Sequence, residues 1–260
     1  MHPPDLYAEI ARLASEGRPF VLATVIDSAG STPQKPGSKM IVLPDGTVRG
    51  TVGGGAIELQ IVDAAKALFD SPDNSRVLET HLTHDLGMCC GGKMKVFLEK
   101  HAASAKLWVF GAGHVAQELA ALAHHTGFRV TVVDDRQEWA ARARFPEGVE
   151  LVVRDPADVA RELAGGADCY FCVTTHDHPL DQAVLEALLP RQAAYLGVIG
   201  SRRKAERFKQ RLLAAGFTAE QLERVRTPMG VPIHALTPQE IAVSIVAELI
   251  AARRVGERRK

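Results

Sequence analysis

The sequence predicts an α/β protein, with a doubly wound parallel sheet in its C-terminal part and a smaller α+β domain before it. Two observations lead to this fold class. From Lys106 onward, short β-branched runs alternate with longer helical stretches, which is typical of βαβ units. The first hundred residues lack that alternation, and Pro44-Asp45-Gly46 supplies a turn between two short strands. We therefore expect one domain at residues 1–100 and a second at residues 106–260.

The apolar periodicity predicts the individual elements of both domains. In the first domain we expect helices at Leu6–Ser15 and Ala56–Phe69, and strands at Phe20–Asp27, Lys39–Leu43, Thr47–Val52, Val77–Leu82 and Met94–Leu98. In the second we expect strands at Lys106–Phe110, Arg129–Val133, Glu150–Val153, Asp168–Val173 and Ala193–Ile199, with helices at Val115–His125, Pro156–Leu163, Leu180–Leu189 and Arg202–Ala215. A closing helix should begin at Thr237, where Thr237, Pro238 and Glu240 match a capping box, and should end near Arg254.

Composition excludes several classes of protein. The 260 residues carry 31 Lys+Arg and 31 Asp+Glu, so no global field would draw the chain onto nucleic acid or an anionic membrane. No apolar run approaches the roughly 20 residues that cross a bilayer, and we expect a cytoplasmic protein with no membrane contact. Four cysteines are too few for a disulfide scaffold.

A glycine-rich turn follows the first strand of the second domain. Gly111, Gly113 and Ala116 match G-x-G-x-x-A between a strand and a helix, and Asp134 ends the next strand. This context is typical of a Rossmann-like dinucleotide site, in which Gly111 permits the tight turn and Gly113 lets a phosphate approach the backbone. An acidic Asp134 suits a ribose hydroxyl and favours NAD over NADP. The alternative is a turn that serves the architecture alone.

The four cysteines occur as two pairs. Cys89 and Cys90 lie beside Gly91 and Gly92, and thiolates in such an adaptable loop suit a soft metal or a sulfur-transfer step. Structural zinc, shared with two upstream histidines, and plain packing of the thiols are the alternatives. Cys169 and Cys172 have C-x-x-C spacing within a predicted strand. Residues three apart on a strand point to opposite faces, so these two are predicted to be core residues.

Two further polar segments follow predicted strands. His176 and His178 lie at a carboxyl end, where open α/β sheets bind ligands, although Thr175 or Asp177 could simply cap the next helix.

The segment after the last predicted strand contains Ser201, Arg202, Arg203 and Lys204. Three cations in a first helical turn oppose the helix dipole, which predicts a bound anion such as a phosphate. Solvated surface charge is the alternative.

Several motifs occur in a fixed order along some two hundred residues. They are Ser28-Ala29-Gly30-Ser31-Thr32-Pro33, Pro36-Gly37-Ser38-Lys39-Met40, Gly50-Thr51-Val52-Gly53-Gly54-Gly55-Ala56-Ile57-Glu58, Cys90-Gly91-Gly92, Phe110-Gly111-Ala112-Gly113-His114-Val115-Ala116, Thr175-His176-Asp177-His178-Pro179-Leu180-Asp181, Gly200-Ser201-Arg202-Arg203-Lys204 and Pro228-Met229-Gly230. In this order the chain resembles the XdhC/CoxI family of xanthine dehydrogenase accessory proteins. Some members have Gly-Gly-Cys where this chain has Gly54-Gly55-Ala56, so Cys89 and Cys90 would have to supply any thiol chemistry.

The resemblance implies a maturation chaperone rather than an enzyme, with no catalytic residue. Such a protein receives the molybdenum cofactor (molybdopterin) from a donor protein, protects it, supports its sulfuration by a cysteine desulfurase and inserts it into the molybdenum subunit of xanthine dehydrogenase, within purine catabolism. Cys89 and Cys90 would contact the molybdenum. The candidate cofactor-binding residues are Cys89, Cys90, Gly91, Gly92, Gly111, Gly113, His114, Asp134, His176, His178, Ser201, Arg202 and Arg203.

Two other functions remain open at this point. An NAD-dependent oxidoreductase would use the glycine turn for its cofactor and His176 or His178 as general acid or base. A metallohydrolase would use the same histidines with Asp177, but a further ligand cluster is missing from the sequence. Asp134 suits a pterin less well than a dinucleotide, because molybdopterin has no ribose. On base rates we expect a homodimer.

Overall fold

The computed structural model describes residues 3–81 and 92–258, without the side chains of residues 3, 4, 202 and 255–258. Contacts divide the chain into two compact units, one reaching to Ala103 and one covering Ser104–Glu257. Within the described ranges, no helix is both long enough and apolar enough to cross a membrane.

The N-terminal unit is an α+β structure, as predicted. Its helices are α1 (Pro3–Ser15) and α2 (Ala56–Asp70), and its strands are β1 (Phe20–Ala29), β2 (Lys39–Val42), β3 (Val48–Gly50), β4 (Ser75–His81) and β5 (Lys93–His101). The strands form one antiparallel sheet in the order β3-β2-β1-β5-β4. Alternate β1 residues, Val21 and Val25 among them, share a buried cluster with Ile57 and Ile61 of α2. The sheet therefore buries one face beneath the amphipathic helix.

The C-terminal unit contains the predicted parallel sheet. Its strands are β6 (Lys106–Phe110), β7 (Arg129–Val133), β8 (Glu150–Val152), β9 (Gly165–Val173), β10 (Gln192–Val198) and β11 (Val225–Arg226). Its α-helices are α3 (His114–His125), α4 (Pro156–Glu162), α5 (His178–Leu188), α6 (Arg202–Ala214), α7 (Ala219–Glu223) and α8 (Pro238–Arg258), with a short 3-10 turn at Arg142–Arg144. The strand order is β11-β10-β9-β6-β7-β8, and neighbouring strands are parallel. This is the Rossmann order, which confirms the predicted fold class.

Two apolar clusters cover the opposite faces of this sheet. Cys172 and Val109 pack into the cluster that includes α3 and α8, whereas Cys169 and Phe171 pack into the cluster that includes α4 and α5. The predicted core placement of Cys169 and Cys172 on opposite faces is thus confirmed. Burial raises the pKa of both thiols, so neither is a ready nucleophile.

The strand order reverses between β6 and β9, which is the topological switch point of the sheet. The Thr174 amide donates to Phe110 O at 2.7 Å, which joins the carboxyl ends of the two strands. Sheets of this kind bind ligands at such a switch point. The Gly111 turn and the Thr175 segment both leave the sheet here.

Helix α8 begins as its sequence predicts. The Glu240 amide donates to Thr237 Oγ1 at 3.2 Å, and the Thr237 amide donates to Glu240 Oε2 at 3.0 Å. This reciprocal pair confirms the capping box.

Candidate functional site

The two glycines of the G-x-G turn have different structural roles. Gly111 has φ +107°, and a Cβ there would lie 2.4 Å from Thr174 O, so the close contact between β6 and β9 requires glycine. Gly113 has an ordinary φ of −66° as the N-cap residue of α3, and a Cβ there would meet nothing within 4 Å. The fold therefore needs Gly111, whereas Gly113 leaves open space at the start of a helix, where an anion is favoured.

The Asp134 carboxylate lies under this turn and is fully hydrogen-bonded within the chain. Its Oδ2 accepts from the Ala112 amide at 2.7 Å and from Arg136 Nη2 at 2.8 Å. Its Oδ1 accepts from the Arg136 amide at 3.0 Å and from Arg136 Nε at 2.8 Å. Burial opposes ionisation of Asp134, but the hydrogen bonds from Arg136 and Ala112 outweigh it and hold the carboxyl pKa below its ordinary value.

An aromatic and cationic group of side chains surrounds the turn, and sequence reasoning missed it. The guanidinium groups of Arg136 and Arg144 lie 5.0 Å and 4.6 Å from the centre of the Trp139 ring. Arg144 Nη1 donates to Ala112 O at 2.9 Å, and the exposed His114 meets Trp139 edge-on at 5.4 Å. The sequence does contain a signal for the Asp134–Arg136 pair, because Arg136 follows Asp134 by two residues after β7.

A buried ion pair joins the segments that follow β9 and β10. Asp181 accepts from the Thr175 amide at 3.1 Å, from Thr175 Oγ1 at 2.7 Å and from Lys204 Nζ at 2.6 Å. Lys204 Nζ also donates to Ile199 O at 2.9 Å. Asp181 and Lys204 thus fix two neighbouring loops at the carboxyl edge of the sheet.

This ion pair changes the interpretation of the basic segment at the start of α6. The anion that the sequence predicts there is supplied for Lys204 by Asp181 of the same chain. Ser201 Oγ accepts from the Lys204 amide at 3.3 Å and caps the helix, while the Arg203 side chain is exposed and that of Arg202 lies outside the description. A bound phosphate is therefore not required to explain Lys204.

The two histidines are exposed at the same carboxyl edge. His178 Nδ1 lies 3.9 Å from Asp181 Oδ2, and His176 precedes it on the loop. The Asp177 side chain makes no capping hydrogen bond to α5, but the Thr175 hydroxyl lies 2.9 Å from Asp177 O and organises the loop. In the parts of the chain that the structure covers, no three His, Cys, Asp or Glu side chains are placed to hold a metal ion.

In the N-terminal unit, several of the motif segments meet at one loop. Glu58 Oε1 accepts from Thr51 Oγ1 at 2.5 Å and from the Gly54 amide at 2.9 Å, which shapes the loop before α2. A Cβ on Gly53 would lie 2.7 Å from Pro33 Cγ, and one on Gly92 would lie 2.3 Å from Ser31 O. Gly92, which precedes β5, therefore packs against the Ser28–Pro33 motif. Cys89, Cys90 and Gly91 fall outside the described residues.

Comparison with protein families gives two matches. Residues 107–249 match the family described as the XdhC Rossmann domain, and residues 13–80 match the XdhC and CoxI family.

Three curated relatives are similar over different shares of their length. The uncharacterized protein YqeB of Escherichia coli is 32% identical over 254 residues, which is 96% of this chain and 46% of YqeB. A protein of Bacillus subtilis described as a probable xanthine dehydrogenase subunit is 31% identical over 159 residues, covering 61% of this chain and 46% of that protein. The molybdenum cofactor insertion chaperone PaoD of Escherichia coli is 25% identical, covering 96% of this chain and 89% of PaoD. The chain thus spans less than half the length of the first two.

A solved structure shares the fold. It is described as a xanthine dehydrogenase of Bacillus halodurans, and it aligns over 95% of both chains with a TM-score of 0.55 and 23% identity.

Proposed function

Because this chain belongs to the XdhC and CoxI family, we propose that it is an accessory protein that binds the molybdenum cofactor and inserts it into xanthine dehydrogenase. The similarity to an insertion chaperone over 96% of this chain supports the proposal. In this proposal the protein is a carrier that protects the bound cofactor and does not turn over a free substrate.

The structural observation that carries the proposal is the open space beside Gly113 at the start of α3. Molybdopterin has one terminal phosphate, and the first turn of α3 offers backbone amides beside open space. No acidic side chain lies in that first turn to repel an anion. Arg203 and the two exposed histidines at the same edge are further candidates for contacts to the pterin.

Cys89 and Cys90 supply the other half of the proposed chemistry. A soft thiolate suits the molybdenum centre and can guard it from oxidation. A cysteine desulfurase would provide sulfur as a persulfide, and two electrons from a thiol reductant with two protons would let that sulfur replace the oxo ligand as sulfido, while the oxo ligand leaves as water. We place this step on the carrier, before transfer to the molybdenum subunit, and we propose that the carrier works in the cytoplasm as a homodimer.

Cofactor retention by gel filtration tests the binding step. Apo-protein is mixed anaerobically with molybdenum cofactor, separated from free ligand, and analysed for pterin and molybdenum in the protein peak. Near-stoichiometric amounts of both are expected for the wild-type chain. A protein peak without either would contradict the proposal.

A variant at Gly113 tests whether retention of the cofactor depends on the open space beside this residue. Gly113→Asp introduces a favourable N-cap residue at an ordinary φ, so the fold should persist, but it places a carboxylate where the phosphate would lie. Retention should fall at least about tenfold. Thr218→Asp, which places an aspartate at the exposed N-cap of α7, is the control and should retain the cofactor. Equal retention by both variants would remove the turn from the binding site.

A further inference from the structure

We infer that Arg136 determines ligand specificity at the glycine turn. It does so by donating hydrogen bonds to the Asp134 carboxylate, which would otherwise accept them from a ribose diol. The inference rests on the proposed function, because it names the class of ligand that the same turn accepts. Phosphate-bearing ligands without a ribose at this position are admitted, and nicotinamide-type dinucleotides are rejected.

The first argument is a count of acceptor sites on Asp134. In dinucleotide-binding folds, an acidic residue at this strand end accepts a hydrogen bond from the ribose hydroxyl. A carboxylate offers about four acceptor positions. In this chain four donors already fill them, three from Arg136 and one from the Ala112 amide. With its side chain 1% exposed, Asp134 is also closed to an incoming hydroxyl.

The second argument is the strength of the bond that a ribose would have to replace. Arg136 binds Asp134 through two guanidinium nitrogens, and such charge-assisted pairs are about twice as strong as neutral hydrogen bonds. The guanidinium is also held over the Trp139 ring, and only 25% of the Arg136 side chain is exposed. A neutral hydroxyl cannot compensate for breaking this arrangement.

Titration calorimetry with ADP-ribose tests this inference. The wild-type chain should bind ADP-ribose weakly, and Arg136→Ala, which frees the Asp134 acceptors, should bind it at least about tenfold more tightly. Arg136→Gln, a shorter and uncharged side chain that retains part of the packing on Trp139, serves if the alanine variant does not fold. Arg154→Ala is the matched control, because Arg154 also binds a carboxylate, that of Glu162, through two guanidinium nitrogens, but on the surface. The gain should be absent from this control.

A double variant and a second ligand provide further tests of the inference about Arg136. Asp134→Asn combined with Arg136→Ala lacks the carboxylate, so the gain should vanish. A folded Arg136→Ala without a gain would overturn the inference, as would wild-type protein that binds ADP-ribose as tightly as Arg136→Ala. If wild-type protein prefers 2′-phospho-ADP-ribose and loses that preference in Arg136→Ala, then Arg136 reads a phosphate, which also overturns it. Cofactor retention by the wild-type chain is measured separately, so failure of the carrier proposal is distinguishable.

Discussion

Asp134 and Asp181 lie under the carboxyl edge of the parallel sheet, and both side chains are 1% exposed. A buried carboxylate is costly unless a cation and hydrogen bonds offset its desolvation. Asp134 obtains these from Arg136, two residues along the chain, whereas Asp181 obtains them from Lys204 on the next loop. The first pair stiffens one turn, and the second joins two loops.

Replacement of Asp134 should make stability less dependent on pH. The pKa of Asp134 is lowered in the folded chain, so its contribution is present above the unfolded value of about 4 and is lost as pH falls through the folded value. We expect Asp134→Asn to lower the unfolding free energy by about 2 kcal/mol at pH 7, with the deficit shrinking below pH 4. Urea unfolding from pH 7 to pH 2.5 measures this. Asp135→Asn, at the exposed neighbour, should show neither effect.

Loss of Lys204 should be more harmful than loss of the adjacent arginine. Lys204→Met leaves Asp181 buried with only its Thr175 donors, and unfolding free energy should fall by about 3 kcal/mol. Arg203→Met removes an exposed cation and should change it by less than about 0.5 kcal/mol. Adding Asp181→Asn to Lys204→Met should recover part of the loss. Equal unfolding midpoints for the two single variants would show that the ion pair is unimportant.

At the scale of elements, the glycine turn separates a requirement of the fold from one of the ligand. Gly111→Ala adds a Cβ against Thr174 O at a positive φ, and we expect it to destabilise the C-terminal unit by at least about 2 kcal/mol. Gly113→Ala adds one to open space, so its cost should stay within about 1 kcal/mol. Thermal unfolding compares the two variants. Similar losses for both would mean that a side chain at residue 113 also meets neighbouring atoms.

The sequence predicted the long elements well because each buries a periodic face. β6 and β7 have the predicted bounds, and α3 begins one residue earlier than expected. By contrast, α7 has five residues and β11 has two, too few for either to show a period. β11 forms because it pairs with β10, a contact that only the folded chain provides, whereas α7 is marked in the sequence by its capping box of Thr218 and Gln221.

The candidate site was predicted less completely than the fold. Motif spacing located the Gly111 turn and the Thr175 loop, since strand ends can be read from the sequence. It did not predict which partners Asp134 and Lys204 choose, because those bonds depend on side-chain geometry at the sheet edge. Consequently, the sequence did not reveal that Asp134, the acidic residue expected at a ribose site, is paired with Arg136.

At the scale of the whole molecule, the carrier proposal assigns different chemistry to the two units. The Gly113 turn suits a phosphate, a hard anion, whereas the Cys89 and Cys90 thiolates suit a soft metal. Substitutions at the two places should therefore cause different losses. Gly113→Asp should lose pterin and molybdenum together, because the phosphate contact anchors the entire cofactor.

Replacement of both Cys89 and Cys90 should give a different pattern. In Cys89→Ala combined with Cys90→Ala, we expect pterin to remain in the protein peak, while molybdenum or its sulfido ligand falls at least about threefold. Pterin fluorescence, metal analysis and cyanide-released sulfur measure the three quantities on one loaded sample. Cys169→Ala is the thiol control, because Cys169 lies in the core and should change none of them. Values for the double variant equal to wild type in all three would remove the thiols from the mechanism and leave the turn as the basis of cofactor binding.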